Sequence, residues 1–217
     1  MKILSRSLML LALFCGISVS AVAQPSLFVE GTHYEVIANP VRTSDPNKIE
    51  VTEIFWYGCP HCYAFEPLIS SWEEKLTSDV AFVRSPGMWN QTMEVHAQIY
   101  YAAEALGVTA DIHDVAFNEI HQRRNYLQDE AAVKEIFVRE GVASEDFDRA
   151  WKSFSVVSAV KRAGTRMRDY GVRGVPSMVV NGKYLVSVGG SVPTQTEMLQ
   201  IVDFLVQKEK SLSLIHI

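Results

Sequence analysis

The feature that most constrains this chain is a pair of cysteines, Cys59 and Cys62, separated by only two residues. The pair follows an apolar, β-rich run at 51–55 and opens a helical stretch at 63–76. A C-x-x-C motif at a strand-to-helix turn is typical of a dithiol/disulfide redox centre. The first sulfur then lies at a helix N-terminus, where unpaired N–H groups and the helix dipole favour a thiolate. The sequence therefore predicts a protein that oxidises or reduces the cysteines of other proteins.

The first 23 residues have the pattern of a secretory signal peptide. Lys2 and Arg6 precede a short apolar run at 8–17, and a small-x-small cleavage site ends at Ala23. A membrane anchor is the alternative, but the run is shorter than the ~20 apolar residues that a spanning helix needs. We therefore predict export with cleavage after Ala23, and a mature chain that is not embedded in a membrane.

Composition narrows the class of partner. Loss of the predicted signal peptide removes two basic residues and no acidic ones, so the formal net charge falls from −5 to −7. A mildly acidic chain argues against nucleic acid as the main partner. Cys15 leaves with the signal peptide, so the mature chain keeps only the pair at positions 59 and 62.

A structural disulfide and a zinc site are the alternatives for this pair. A chain of this length needs no disulfide to stabilise its fold. A disulfide that closes a loop of four residues would also add little stability, because loop-closure stabilisation grows with loop length. Zinc would need two further ligands, and the sequence has no second C-x-x-C or H-x₃-H pair. His33, His96, His113 and His121 are scattered and read as ordinary surface or core residues. The sequence therefore predicts no metal and no cofactor.

The first part of the mature chain reads as a β–α–β unit. A mostly apolar run at 51–56 predicts a buried central strand, a helix follows at 63–76, and residues 80–83 predict a second strand. Such a unit places its strands in parallel with a right-handed crossover. Between about 88 and 170 no strand pattern appears, and apolar stripes predict four helices, one of them with Asp129 as its N-cap.

Strands return after this helical block. Residues 177–180 and 183–188 flank an Asn-Gly dipeptide, which is a strong signal for a two-residue hairpin. Thr194 and Glu197 form a capping box that opens a last helix.

The order β–α–β, helices, β–β–α predicts an α/β protein with a four-stranded mixed sheet. This is a thioredoxin-like fold with a helical domain inserted in its middle. The predicted boundaries are 24–86 and 171–210 for the thioredoxin-like domain, 87–170 for the inserted helical domain, and 211–217 for a tail with no readable role.

Several motifs together resemble one known family. The C-P-H-C sequence at 59–62, preceded by Glu53, occurs with R-G-V-P-S at 173–177 and V-N-G-K-Y at 180–184. This combination resembles the DsbA family of periplasmic thiol:disulfide oxidases of Gram-negative bacteria, and the resemblance extends from about 29 to 210. It implies a thioredoxin-like fold, a periplasmic location and the oxidation of exported proteins.

The resemblance also implies roles for the residues of the tetrad. Cys59 matches the exposed, reactive cysteine of the family, and Cys62 matches its buried partner. Pro60 and His61 match the dipeptide that tunes the redox potential. Without the resemblance, His61 would also be compatible with a solvated loop position.

Glu53 matches the family's buried acid beneath the active site, which implies a role in managing the proton of Cys62. From the residues alone, a strand position facing solvent is the alternative. Some relatives place a lysine near this acid on the neighbouring strand, but the nearest ionisable residue to that strand here is Asp79. The sequence therefore leaves the charge partner of Glu53 open.

Pro176 matches a cis-proline that faces the disulfide, and the resemblance implies that Val175 and Pro176 bind substrate. The exposed backbone of Val175 would pair with an extended peptide by strand addition. Met88, Trp89 and Met178 could line an adjoining apolar groove, since methionine surfaces adapt to varied partners, or they could pack in the core.

The predicted partners are reduced or unfolded exported proteins and, through the resemblance, a DsbB-like quinone-linked membrane oxidase that restores the disulfide. A disulfide isomerase or reductase is a second possibility. Isomerases of this fold usually carry an extra N-terminal dimerisation domain, and only about 25 residues separate Gln24 from the first core strand, which leaves no room for one. A non-catalytic binding module is a third possibility, against which the intact cysteine pair argues.

Overall fold

A computed structural model describes residues 27–215, so the predicted signal peptide at 1–23 lies outside the described residues. The described chain forms a five-stranded mixed sheet in the order β1-β5-β4-β2-β3. Its strands are β1 (Glu35–Val36), β2 (Ile49–Phe55), β3 (Val80–Pro86), β4 (Ser177–Val180) and β5 (Tyr184–Ser187). Strands β2 and β3 are parallel, and the remaining neighbours are antiparallel. The predicted four-stranded sheet lacks β1, because two exposed residues carry no periodicity that a sequence pattern can detect.

The β–α–β unit forms as predicted. All of β2 is buried except Ile49, at its start, as expected for a central strand covered on both faces. Helix α1 (Pro60–Glu73) follows it, and the apolar residues Phe65 and Ile69 lie on its buried face. The helix begins at Pro60, three residues before the predicted start, because proline suits the first turn of a helix.

Five helices connect β3 to β4 in the described chain. They are α2 (Gln91–Leu106), α3 (Thr109–His121), α4 (Glu130–Arg139), α5 (Ser144–Trp151) and α6 (Phe154–Asp169). The sequence predicts four helices and omits α3, although Ile112, Ala116 and Ile120 mark its buried face at helical spacing. Asp129 caps α4 as predicted, since its side chain accepts a hydrogen bond from the Ala132 N–H at 2.9 Å.

The buried face of α6 differs from the predicted stripe. The sequence predicts a stripe of Val157, Val160, Gly164 and Met167. Gly164 and Met167 are buried as predicted, but Val156 and Ala163 are buried instead of the two predicted valines, and Val157 is 39% exposed. The helix begins at Phe154, itself exposed, and its rotation about its axis is set by packing on α2 and β3.

The C-terminal elements form as predicted. Asn181 and Gly182 both have positive φ, at 51° and 62°, which is the geometry of a type I′ hairpin turn. The Glu197 N–H donates to the Thr194 hydroxyl at 3.1 Å and caps the start of α7. Helix α7 (Gln195–Ile215) extends through most of the segment that the sequence assigns to a tail.

The hydrophobic core contains two large clusters of buried residues. One cluster lies between the sheet and helices α1 and α7, and a second joins the end of β2 to the helices of the connecting block. Cys59 and Cys62 belong to the second cluster, so the cysteine pair lies where the sheet meets the helical block. Within residues 27–215, every helix is too short or too polar to cross a bilayer.

Candidate active site

The two cysteines occupy different environments. Cys59 is the N-cap residue of α1, and 7% of its surface is exposed. Cys62 lies inside the first turn and is completely buried. Both are free thiols in this structure, and the Sγ atom of Cys59 lies 3.5 Å from the carbonyl oxygen of Val175.

The surroundings of Cys59 favour its thiolate. A hydrogen bond from the Cys62 thiol, backbone N–H groups of Cys62 and His61, and the charge of the His61 side chain lower the pKa of Cys59 to about 6, although burial opposes the shift. These are the donors expected at the first turn of a helix, where N–H groups have no intrahelical partner. The sulfur at position 59 is therefore largely ionised at neutral pH.

The surroundings of Cys62 favour its protonated form. Burial is the main cause that raises the pKa of this thiol, and the negative charges of Cys59 and Glu53 raise it further. The two sulfurs thus have opposite preferences, although they are separated by a single turn of backbone.

Glu53 lies beneath the pair, on β2, and is completely buried. Burial and the neighbouring Glu66 raise its pKa to about 8, although Arg84 acts in the opposite direction. The position is not the solvent-facing one that the residues alone leave open. A carboxyl with this pKa is mostly protonated at pH 7 and can donate a proton.

The charge partner of Glu53 is Arg84, not a lysine and not Asp79. Glu53 and Arg84 are direct neighbours in the parallel register of β2 and β3, and Arg84 Nε lies 3.3 Å from Glu53 Oε2. Asp79 is half exposed and instead pairs with Lys210 at 2.9 Å. The sequence holds a signal for this pair, since Arg84 is a charged residue that directly follows the apolar run of the second strand.

Arg84 also extends the cluster toward the surface. Its guanidinium lies 3.3 Å from Glu66 and 3.6 Å from Glu73, both on α1. Glu66 in turn lies 3.2 Å from His113 Nε2, a residue of α3 in the helical block. Sequence analysis did not select Arg84, Glu66, Glu73 or His113 as site residues, because their proximity to Glu53 depends on how α1 and α3 pack against the sheet.

Two histidines of the helical block hold the segment that precedes Cys59. The indole N–H of Trp56 donates to His96 Nδ1 at 2.9 Å, so His96 Nε2 carries the proton that it donates to the Tyr126 carbonyl at 3.0 Å. Burial lowers the pKa of His96, which agrees with a neutral ring. His121 Nε2 lies 2.8 Å from the Tyr57 carbonyl oxygen. His96 is thus a buried and His121 a partly buried residue, in keeping with the prediction of ordinary surface or core histidines, and both stabilise the chain before the tetrad.

A groove opens beside the cysteine pair on the side of the Val175–Pro176 peptide bond, which is cis, as the resemblance implies. His61, Val175, Pro176 and Gln195 are among the residues that line it, and its volume is about 700 Å³. The side-chain amide of Gln195 donates to the His61 carbonyl at 2.6 Å and links α7 to the tetrad. The groove therefore includes His61 and Val175, whose carbonyl oxygen lies 3.5 Å from the Cys59 sulfur.

The three residues considered for an apolar groove separate in the structure. Met178 lies on β4 and is completely buried in the core. Met88 and Trp89 line a different groove, which is formed with residues of α2 and α6, Gly164 among them. Within the described chain, no group of three or more His, Cys, Asp or Glu side chains is arranged to hold a metal ion.

Comparison with known proteins agrees with this geometry. The family described as a DSBA-like thioredoxin domain matches residues 69–199. The thiol:disulfide interchange protein DsbA of Pseudomonas aeruginosa is 39% identical over 207 residues, which cover 95% of this chain and 98% of that protein. The protein of the same name from Pseudomonas syringae pathovar tomato is 40% identical over 212 residues, which cover 96% of this chain and 95% of that protein.

Solved structures show the same relationship. The crystal structure of Pseudomonas aeruginosa DsbA superposes with a TM-score of 0.81 at 40% sequence identity, and the match covers 86% of this chain and 96% of that chain. The structure of the oxidoreductase DsbA from Xylella fastidiosa superposes with a TM-score of 0.79 at 28% identity, over 86% of this chain and 100% of that one. The thioredoxin-like α/β fold, the paired thiols and these relatives agree, and the chain belongs to the DsbA family of thiol:disulfide oxidoreductases.

Proposed function

We propose that this oxidoreductase works in the periplasm, where it donates its Cys59–Cys62 disulfide to newly exported proteins. The observation that carries the proposal is the opposite ionisation of the two sulfurs. The pKa of Cys59 is lowered to about 6, whereas burial raises that of Cys62. A site that stabilises one thiolate in its dithiol form favours accepting electrons, which is what a disulfide donor does.

The reaction would begin when a client thiolate attacks the Sγ atom of Cys59 in the oxidised protein. The Cys59–Cys62 bond breaks, its electron pair stays on Cys62, and a mixed disulfide joins the client to Cys59. The second client thiolate then attacks the client sulfur of that bond and expels Cys59 as a thiolate. The client gains a disulfide and the protein keeps two reduced sulfurs, so electrons balance. A thiolate of low pKa is a good leaving group, which favours the second step.

Glu53 would supply the proton that Cys62 takes up when it leaves. The raised pKa of about 8 keeps this carboxyl mostly protonated at pH 7, and it is completely buried beside the cysteine pair. Arg84 would then stabilise the carboxylate that remains, at 3.3 Å. Proton transfer moves the buried negative charge from the Cys62 sulfur to Glu53, where Arg84 compensates it and lowers the cost of keeping a charge in a site of low dielectric constant.

The lowered pKa sets a scale for the oxidising strength. At pH 7, a thiol with a pKa of about 6 instead of the ordinary ~8.5 stabilises the reduced protein by about 1.4 kcal/mol, which corresponds to about 30 mV. Pro60 and His61 would tune this value, because His61 contributes a backbone N–H and a side-chain charge to the environment of Cys59.

Val175 and Pro176 would hold the client chain. The carbonyl of Val175 lies 3.5 Å from the Cys59 sulfur, in the groove that passes the tetrad. An extended client could pair there through its backbone, which would permit a broad choice of side chains.

The remaining predictions form part of the same proposal. The signal peptide is cleaved after Ala23, the thioredoxin-like domain comprises 24–86 and 171–210, and 87–170 form the inserted helical domain. A DsbB-like, quinone-linked membrane oxidase regenerates the disulfide after each turnover. The family membership and the exposed edge of the cysteine pair support this partner, since a second protein must reach Cys59 to oxidise it.

The test is a direct assay of disulfide donation. The oxidised mature protein is mixed with a reduced client carrying two cysteines, and the products are trapped with acid and separated by mass. We expect one client disulfide for each molecule of protein reduced, and none with Cys59→Ala. The same protein is then assayed for rescue of scrambled ribonuclease. Rescue without net oxidation of reduced clients would contradict the proposal and favour an isomerase.

A further inference from the structure

A second cleft borders the tetrad on the side opposite the Val175–Pro176 groove. Gly58 and Pro60, the neighbours of Cys59, line it together with Trp56. Its other wall comes from the first turn of α2, the end of α3 and the loop between α3 and α4. Its volume is about 690 Å³, which matches that of the first groove. We call it the arginine cleft, after Arg124 on its rim.

The arginine cleft has an unusual charge for this acidic protein. Its lining residues in the described chain include no Asp or Glu, whereas Glu35 lines the groove on the other side. Arg124 and amide side chains provide hydrogen-bond donors, and Trp56 and Tyr126 provide aromatic faces. Gln91, the first residue of α2, also lines the cleft, so the positive end of that helix dipole lies at its wall.

Arg124 is an unpaired cation in a strained backbone position. Its φ of 58° lies in the left-handed region, which costs free energy for a residue other than glycine. Its neighbours are anchored by Glu119, which accepts hydrogen bonds from Arg123 at 2.6 Å and from Asn125 at 3.0 Å. Within the described chain, the Arg124 side chain itself has neither an ion pair nor a hydrogen bond. The loop therefore holds a free guanidinium at the edge of the cleft.

We propose that the arginine cleft binds the segment of a client polypeptide next to its reacting cysteine, and that Arg124 selects an acidic residue there. The cleft includes Gly58 and Pro60, the chain neighbours of the reactive cysteine, and its charge is complementary to a carboxylate. A client held at Val175 on one side of Cys59 would then extend into the cleft on the other side. This inference rests on the proposed function, because the occupant is a client of the oxidation reaction.

The experiment uses reduced peptides with two cysteines and an Asp or a Lys two residues from each cysteine. One set carries the charge on the N-terminal side of the cysteines and the other on the C-terminal side, since the cleft lies on one side of Cys59. The oxidised full-length mature protein is mixed with each peptide, and the rate of peptide oxidation is measured after acid quenching. An acidic neighbour also raises the pKa of the peptide thiol, so the Asp-to-Lys rate ratio is compared between proteins.

Arg124→Asn and Arg124→Asp are the test variants, because both residues tolerate a positive φ. In one peptide set we expect the Asp-to-Lys ratio to fall about threefold in Arg124→Asn, the size expected of one exposed ion pair, and further in Arg124→Asp. Arg149→Asn removes an exposed arginine far from the cleft and should keep the wild-type ratio. Added salt should reduce the wild-type preference.

The possible results separate this inference from the proposed function. An unchanged ratio in both Arg124 variants, with peptides still oxidised, would overturn the arginine cleft alone. A fall of equal size in both peptide sets would indicate a general effect of net charge and would also overturn it. Absence of oxidation for every peptide would overturn the proposed function and the inference with it.

Discussion

The surface side and the buried side of the cysteine pair differ in burial, hydrogen bonding and nearby charge, which are the properties that set the pKa of a thiol. On the surface side, Cys59 meets N–H donors at the start of α1 and the edge of two grooves. On the buried side, Cys62 meets apolar side chains and the carboxyl of Glu53. The pKa is lowered on the first side and raised on the second. A separation of two residues therefore suffices to create a thiolate and a protonated thiol from the same type of side chain.

This difference shows how the dithiol can be favoured over the disulfide. Donors preorganised at the helix start stabilise the charge on Cys59, whereas the buried side has a carboxyl that can supply a proton to Cys62. Variants on each side therefore test the causes that act on one sulfur, and variants of the cysteines themselves test the coupling between the two.

The largest expected effect comes from the buried side. Glu53→Gln should raise the free energy of unfolding by up to about 3.6 kcal/mol at pH 7, because folding then no longer requires an acid to protonate above its ordinary pKa. Because the pKa of Glu53 is raised in the folded protein, burial of this acid costs no stability below its unfolded pKa near 4.3. The loss of stability grows as the pH rises and reaches its limit above about pH 8. Urea unfolding at pH 4 and pH 7 measures this, and the gain should vanish at pH 4.

Glu73→Gln is the matched control, since Glu73 approaches the same Arg84 from a half-exposed position. Its effect on unfolding should stay below about 0.5 kcal/mol. A gain for Glu53→Gln that persists unchanged at pH 4 would show that the acid is not held protonated by the fold.

The second largest expected effect comes from Cys59, on the surface side of the pair, and concerns the stability of the reduced protein. The lowered pKa of Cys59 stabilises the reduced protein above about pH 6, and this contribution is lost as the pH falls through 6. The difference in unfolding free energy between the reduced and oxidised proteins should therefore change by about 1.4 kcal/mol from pH 5 to pH 7, in favour of the reduced form. Because both forms contain Glu53, its contribution largely cancels in this difference. The ultraviolet absorbance of the Cys59 thiolate should titrate with a midpoint of about 6. A midpoint near 8.5 would contradict the proposed function.

Cys62→Ala would remove the link between the two sides. The hydrogen bond from Cys62 is the main cause of the lowered Cys59 pKa, so that pKa should rise by up to about one unit. Cys62→Ser is the control, because its hydroxyl can still donate. The pH dependence of alkylation by iodoacetamide reports the pKa in both variants, and equal midpoints with that of the wild type would refute this assignment.

The smallest effect is expected at the tetrad dipeptide. His61→Pro removes a backbone donor and a side-chain charge that both lower the pKa of Cys59. We expect the pKa to rise by about half a unit and the potential to become more reducing by about 15 mV. Redox equilibrium with glutathione measures the potential, and an unchanged value would remove His61 from the set of tuning residues.

Local rules predicted much of the fold. The hairpin at Asn181 and Gly182, the cap at Asp129 and the capping of α7 by Thr194 all depend on neighbours within a few residues. The exposed strand β1 and the rotated face of α6 were not predictable in the same way, because packing against distant elements decides both. Helix α3 was omitted although its own residues carry an apolar stripe at helical spacing.

The same limit applies to the site. The cysteine pair and Glu53 could be found from the motif, but Arg84, Glu66 and His113 could not, because their ion pairs join β3, α1 and α3. His96 and Trp56 are forty residues apart, and no local pattern indicates that their rings are hydrogen-bonded.

By itself, the sequence determined that two thiols stand at a helix N-terminus beside a central strand, because strand, turn and helix propensities act over short distances. Only the tertiary structure decided that Cys62 and Glu53 lose all contact with water, that Arg84 faces the acid, and that Arg124 lines the same cleft as Gly58 and Pro60. The reason is that a pKa depends on burial and on charges within a few ångströms, and those charges come from segments that only the fold brings together.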